Sequence, residues 1–98
     1  MSIAIVNGDK VLGEGDDGTL QRIGSESVIT IPHSSKYKFQ IQDRIPIFKE
    51  TSDDVTFVAE PGVAFCAKGN KIGPQFGKAE LEMVAEDDWI ASGDLTNN

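Results

Sequence analysis

The chain is poor in the residues that usually staple small domains or build catalytic centres. Among 98 residues there is one cysteine, Cys66, one histidine, His33, one tryptophan, Trp89, and one tyrosine, Tyr37. A single cysteine cannot close an internal disulfide, and one histidine with one cysteine cannot assemble the ligands of a structural zinc site. Cations are scarce too. Nine Lys and Arg stand against sixteen Asp and Glu, a net charge of −7. That is the wrong sign for a domain that neutralises phosphates, so neither nucleic acid nor a membrane surface is expected as a partner. Long apolar runs are also missing. The start MSIAIVNGDK has no basic leader region and a four-residue apolar stretch, far below the roughly 20 residues of a spanning helix. Synthesis in the cytoplasm is expected.

A chain of this length supports one domain and buries about 64% of its unfolded surface, a marginal core. Without a staple, association is the common route to further stability, and subunit contacts are expected.

What is present is period-two alternation. Tyr37-Lys38-Phe39-Gln40-Ile41 and Lys78-Ala79-Glu80-Leu81-Glu82-Met83 alternate without an error, the pattern of half-buried strands. Val28-Ile29-Thr30-Ile31, Arg44-Ile45-Pro46-Ile47-Phe48, Val55-Thr56-Phe57-Val58 and Val63-Ala64-Phe65-Cys66 are short and rich in β-branched or aromatic residues, and also read as strands. Turn signals separate them at steps of roughly 8–12 residues, the spacing of a sandwich or barrel. Pro46 removes a ladder donor, which predicts an edge strand or a bulge there. Ile3-Ala4-Ile5-Val6, Asn7-Gly8 and Lys10-Val11-Leu12 read as a hairpin on an Asn-Gly turn. The expected fold class is all-β, a small antiparallel β-sandwich or barrel with a short N-terminal hairpin or arm. Residues 1–24 form a separable arm, 25–95 the β domain and 96–98 a polar tail that frays.

Candidate chemistry is thin. Gly13-Glu14-Gly15-Asp16-Asp17-Gly18 fits the letters of a dinucleotide fingerprint, but its carboxylates would face the phosphates and no helix can follow before Gly24. Glu14, Asp16 and Asp17 could offer oxygen ligands to a cation, although the spacing is not that of an EF-hand. A solvated turn is the reading adopted, for this loop and for Asp53-Asp54 and Glu86-Asp87-Asp88. His33 would have to serve any acid–base scheme, and its neighbours Ser34 and Ser35 do not form a nucleophile elbow. Cys66 lies in an apolar run and reads as a small core hydrophobe. Trp89 reads as a core anchor or an exposed interface anchor. No catalytic, cofactor-binding or metal-binding residue is assigned, no cofactor is expected, and the chain is not read as an enzyme.

Several blocks taken in order resemble a known domain. They are Val28-Ile29-Thr30-Ile31-Pro32, Phe39-Gln40-Ile41-Gln42-Asp43, Val55 to Val63, Gln75-Phe76-Gly77-Lys78-Ala79-Glu80-Leu81 and the closing Asp88-Trp89-Ile90-Ala91-Ser92-Gly93-Asp94-Leu95. Over residues 26–95 the chain resembles a small β domain of tailed-bacteriophage virion proteins, found in capsid-decorating and tail-fibre-associated components. The resemblance implies antiparallel pairing of the Lys78 strand with the Trp89 strand across the acidic turn. It also implies a structural role in the virion. A small single domain then suits a capsid decoration (cement) protein that binds the major capsid protein lattice on the capsid exterior as a homotrimer. The alternative is a tail-fibre, spike or other receptor-facing component. Under the first reading the 1–24 arm is expected to reach the shell.

Overall fold

The β-branched and aromatic runs become strands throughout. In the computed structural model, which describes residues 2–97, these are β1 (Ser2–Val6), β2 (Lys10–Val11), β3 (Thr19–Ile23), β4 (Ser27–Ile31), β5 (Arg44–Lys49), β6 (Val55–Ala59), β7 (Ala64–Cys66), β8 (Lys71–Ile72), β9 (Lys78–Ala85), β10 (Asp88–Gly93) and β11 (Leu95–Thr96). Met1 and Asn98, the outermost residues of the expected arm and tail, lie outside the described residues. The fold is all-β and forms a two-sheet sandwich. One sheet runs β1-β3-β5-β9-β10-β7 and the other β11-β8-β6-β4-β2.

The sheets are mixed, whereas the sequence suggested antiparallel ones. From β1 to β6 the chain alternates between sheets, so each strand lies parallel to the one two elements later. Ser2 lies beside Thr19, Gln21 beside Ile47, Lys10 beside Ile29 and Ser27 beside Val55. This is a short parallel coil of the β-solenoid kind, in which arches between sheets replace crossover helices. Antiparallel pairings of β9 with β5 and β10, and of β8 with β6 and β11, close it.

The N-terminal hairpin does not form. Asn7-Gly8 turns a corner between sheets: Gly8, at φ 131°, donates its N–H to Ser27 Oγ (3.2 Å), and Val28 N–H reaches Asp9 Oδ1 (2.9 Å). The segment read as an arm therefore supplies β1, β2 and β3 to both sheets, with Val6, Leu12 and Ile23 in the core. At the other end Thr96, expected to fray, pairs with Lys71.

Tyr37–Ile41 is not a strand. One insertion accounts for its apparent alternation: Phe39 enters the core edge-on to Trp89, ring centroids 5.2 Å apart, while Ile41 stays exposed. Asp43 Oδ2 accepts the Gln40 N–H at 2.8 Å, and Gln42 takes φ 78°, which ends any extended run. Pro46 sits inside a central strand, not on an edge. It is tolerated because Gly18 N–H reaches the Arg44 carbonyl (2.8 Å) and the β3–β5 register is taken up from Ile47 onward. The missing donor thus falls where the ladder begins.

The inward rows are Gln21 and Ile23 on β3, Ile29 and Ile31 on β4, Ile45 and Ile47 on β5, Val55 and Phe57 on β6, Ala79, Leu81 and Met83 on β9, and Trp89 on β10. At the β1–β2 end, polar groups fill the space between the sheets. Lys10 Nζ donates to Asp16 Oδ1 (2.9 Å) and Gln21 Oε1 (2.7 Å), and Gln21 Nε2 donates to Asp16 Oδ1 (3.2 Å).

Candidate binding face

Alternation that sends Gln21, Ile47 and Ala79 inward must send their neighbours outward. On the six-stranded sheet the register aligns Ile3 with Leu20 and Ile5 with Arg22, Arg22 with Phe48, and Pro46 with Glu80. The outer face is therefore apolar across β1, β3 and β5. Ile3 and Ile5 are 54% and 64% exposed, and Phe76, 63% exposed, stacks on Phe48 with ring centroids 6.3 Å apart. Contiguous apolar surface of this kind marks an interaction site more often than scattered single residues do. A shallow groove of about 800 Å³ runs over it, lined by Ile3, Leu20, Pro46 and Phe48 with Arg22, Lys78 and Glu80.

Charges on this face are matched. Arg22 forks onto Glu50, with Nε to Oε1 at 2.9 Å and Nη2 to Oε2 at 2.6 Å, and Arg44 lies within 3.9 Å of Glu80 and 3.7 Å of Glu82. The hydrogen bonds from Arg22 hold the Glu50 carboxyl below its ordinary range. The remaining carboxylates gather mostly in loops at the ends of the sandwich.

Those end loops are organised more tightly than solvated turns. In Gly13–Gly18, Asp16 is buried and accepts Gly13 N–H at 2.8 Å besides Lys10 and Gln21. Asp17 Oδ1 accepts Arg44 N–H at 3.1 Å. The loop is thus a structural plug, with Asp16 and Asp17 bonded to protein donors and Glu14 exposed. Among the described residues no group of three or more His, Cys, Asp or Glu side chains could hold a metal ion.

His33 is brought to groups that its sequence neighbourhood does not reveal. Its Nε2 lies 3.2 Å from Asp87 Oδ2, and Asp87 also accepts the Ser34 N–H and hydroxyl, both at 2.8 Å. Partial burial pushes the Asp87 carboxyl up, but the Ser34 hydrogen bonds and the His33 and Lys38 charges outweigh it and hold the carboxyl below its ordinary value. Ser35 Oγ is 3.0 Å from Nδ1, an order reminiscent of a Ser-His-Asp relay. Nδ1 already accepts the Ser35 backbone N–H (3.1 Å), so the imidazole serves as a latch between turns. Glu60 joins it, accepting His33 N–H (2.8 Å) and Lys36 Nζ (2.6 Å). The Lys36 bond, reinforced by His33 N–H, lowers the Glu60 pKa.

No family model, curated protein or solved structure matches this chain. The site is therefore read from its own geometry. Trp89 is a core anchor, 1% exposed. Cys66 is exposed, not buried, because β7 pairs Phe65 with Trp89 on the inner side and Cys66 with Ile90 on the outer. Asp53 and Asp54 are exposed, as expected of a turn. The binding face itself escaped sequence reasoning. Its one legible signal is the Ile3/Ile5 alternation, which a local hairpin satisfies equally well.

Proposed function

We propose that this chain is a bacteriophage virion structural protein, a capsid decoration (cement) protein that binds the major capsid protein lattice on the exterior of the head as a homotrimer. The observation that carries the reading is the charge-matched apolar face on an otherwise acidic module. Such a surface serves a partner, and the net charge keeps free copies apart in solution before docking. A second observation agrees with it. Two of the blocks that carry the virion resemblance, β9 and β10, pair antiparallel across the acidic turn with Trp89 opposite Met83. Multivalent attachment at threefold points would let a small domain hold neighbouring shell subunits by avidity. The reading involves no catalysis, cofactor, nucleic acid or membrane.

The test is co-sedimentation of the purified protein with undecorated capsids, together with labelled imaging of whole particles. Saturable binding and a shell-wide label are expected. Tail-only density would reassign the chain to a tail-fibre, spike or other receptor-facing component, and absence from the particle would overturn the virion reading altogether.

A further inference from the structure

We infer that the partner is held by strand addition: the open edge of β1 takes an extended segment of the shell subunit, which prolongs the six-stranded sheet. The inference rests on the decoration reading above and gives it a mode of contact. The direction of the backbone groups is the first argument. Val6 accepts the Gly24 N–H at 2.8 Å and lies opposite Ile23 in the parallel ladder, so its backbone faces β3. Successive residues of a strand turn their N–H and C=O groups to opposite sides. Ala4 therefore also faces β3, while Ile3 and Ile5 face away from it, where β1 ends the sheet. Each of the two isoleucines presents one donor and one acceptor along that edge.

The other sheet ends are the second argument. β7, β2 and β11 have three, two and two residues, and such short edges template little. β1 has five, Ser2-Ile3-Ala4-Ile5-Val6, with neither the charge nor the proline that normally protects an edge. The occupant follows from the chemistry of the edge. A row of N–H and C=O groups is matched by another extended polypeptide, whose alternate side chains then supply selectivity. On the outer face those side chains would meet Ile3 and Ile5, 54% and 64% exposed, so an apolar residue is wanted at every second position. A second copy could match the length only with its own β1. That pairing would join two chains of net charge −7 against their mutual repulsion and leave neither edge for the shell.

The experiment measures co-sedimentation of the full chain with undecorated capsids for wild type, Ile5→Pro and Ile5→Thr. Far-UV circular dichroism and sedimentation velocity of each free protein are recorded in parallel. Proline removes the outward N–H and is accepted on an edge where that group bonds no neighbour, whereas threonine keeps both the N–H and the strand propensity. Both variants should stay folded. Ile5→Pro should weaken capsid binding about tenfold or more, since it leaves a partner carbonyl unpaired, and Ile5→Thr should bind within a few-fold of wild type. In wild type the Ile3 and Ile5 amides should exchange hydrogen quickly when free and slowly on the capsid. The inference is overturned if folded Ile5→Pro binds as wild type does, or if Ile5→Thr loses as much as Ile5→Pro, because the side chain would then carry the contact. Unchanged amide exchange on the capsid overturns it too, and that measurement decides if Ile5→Pro fails to fold. A free dimer that Ile5→Pro abolishes would assign the edge to a second copy instead. All of these outcomes leave wild-type capsid binding, and the decoration reading, in place. If wild type binds no capsid, the decoration reading falls and the shell segment falls with it.

Discussion

Trp89 shows what a single side chain contributes here. It is fully enclosed, with Phe39 edge-on at 5.2 Å, and Leu81 is equally buried in the same sheet. Removing either leaves a cavity that the sheets cannot collapse to fill. Trp89→Ala should cost about 3–5 kcal/mol and Leu81→Ala about 2–5 kcal/mol, read from denaturant melts, against the 5–15 kcal/mol of a whole domain. Asp16 works differently. Its carboxylate gathers Lys10 Nζ, Gly13 N–H and Gln21 Nε2. Asp16→Ala should therefore strand buried donors at a cost of about 1–3 kcal/mol, lowering the melting temperature of a small domain by several degrees. An unchanged melting curve would show that the plug is not needed.

At the scale of elements, the acidic turns are fasteners. The β9–β10 turn carries Asp87 at φ 54°, an uncommon conformation for a residue other than glycine, held by Ser34 and His33 from the turn after β4. Gly93, at φ 117°, ends β10 where a Cβ would lie 2.3 Å from the Lys78 carbonyl oxygen, so only glycine fits there. Asp87, Glu60 and Glu50 all have folded pKa values below their ordinary ones. Their contribution to stability is complete above the unfolded carboxylate values near 4 and is lost as pH falls through the lowered folded values. The melting temperature should hold from neutral pH to about 4.5 and then drop, and Asp87→Asn should soften that acid limb. An identical acid limb in Asp87→Asn would show that the latch contributes nothing.

For the whole molecule, the parallel coil makes the N-terminal quarter structural. A chain lacking residues 1–24 loses β1, β2 and β3, and with them Val6, Leu12, Gln21 and Ile23 from the core, leaving β5 without its parallel neighbour. The truncated chain should fail to melt cooperatively, as seen by circular dichroism and calorimetry. A sharp, wild-type-like transition would instead restore the separable arm expected from the sequence. Long-range parallel pairing also implies slow folding, because distant segments must meet before any rung forms.

Side-chain period and β-propensity by themselves determined the all-β class, the strands β4, β5, β6 and β9 and the inward row of β9, because both are local properties. They could not determine partners. Ile3-Ala4-Ile5-Val6 alternates equally well in a hairpin with residues 10–12 or in a parallel ladder with Thr19–Ile23. The choice rests on whether Val6 and Leu12 find a common core between two sheets. Tyr37–Ile41 shows the converse, a pattern without a ladder, because one inserted Phe39 satisfies it. Only the tertiary structure brought His33 to Asp87, turned Cys66 outward and joined Ile3, Leu20, Pro46 and Phe48 into one face. Those juxtapositions depend on register between strands distant in sequence, which no local pattern encodes.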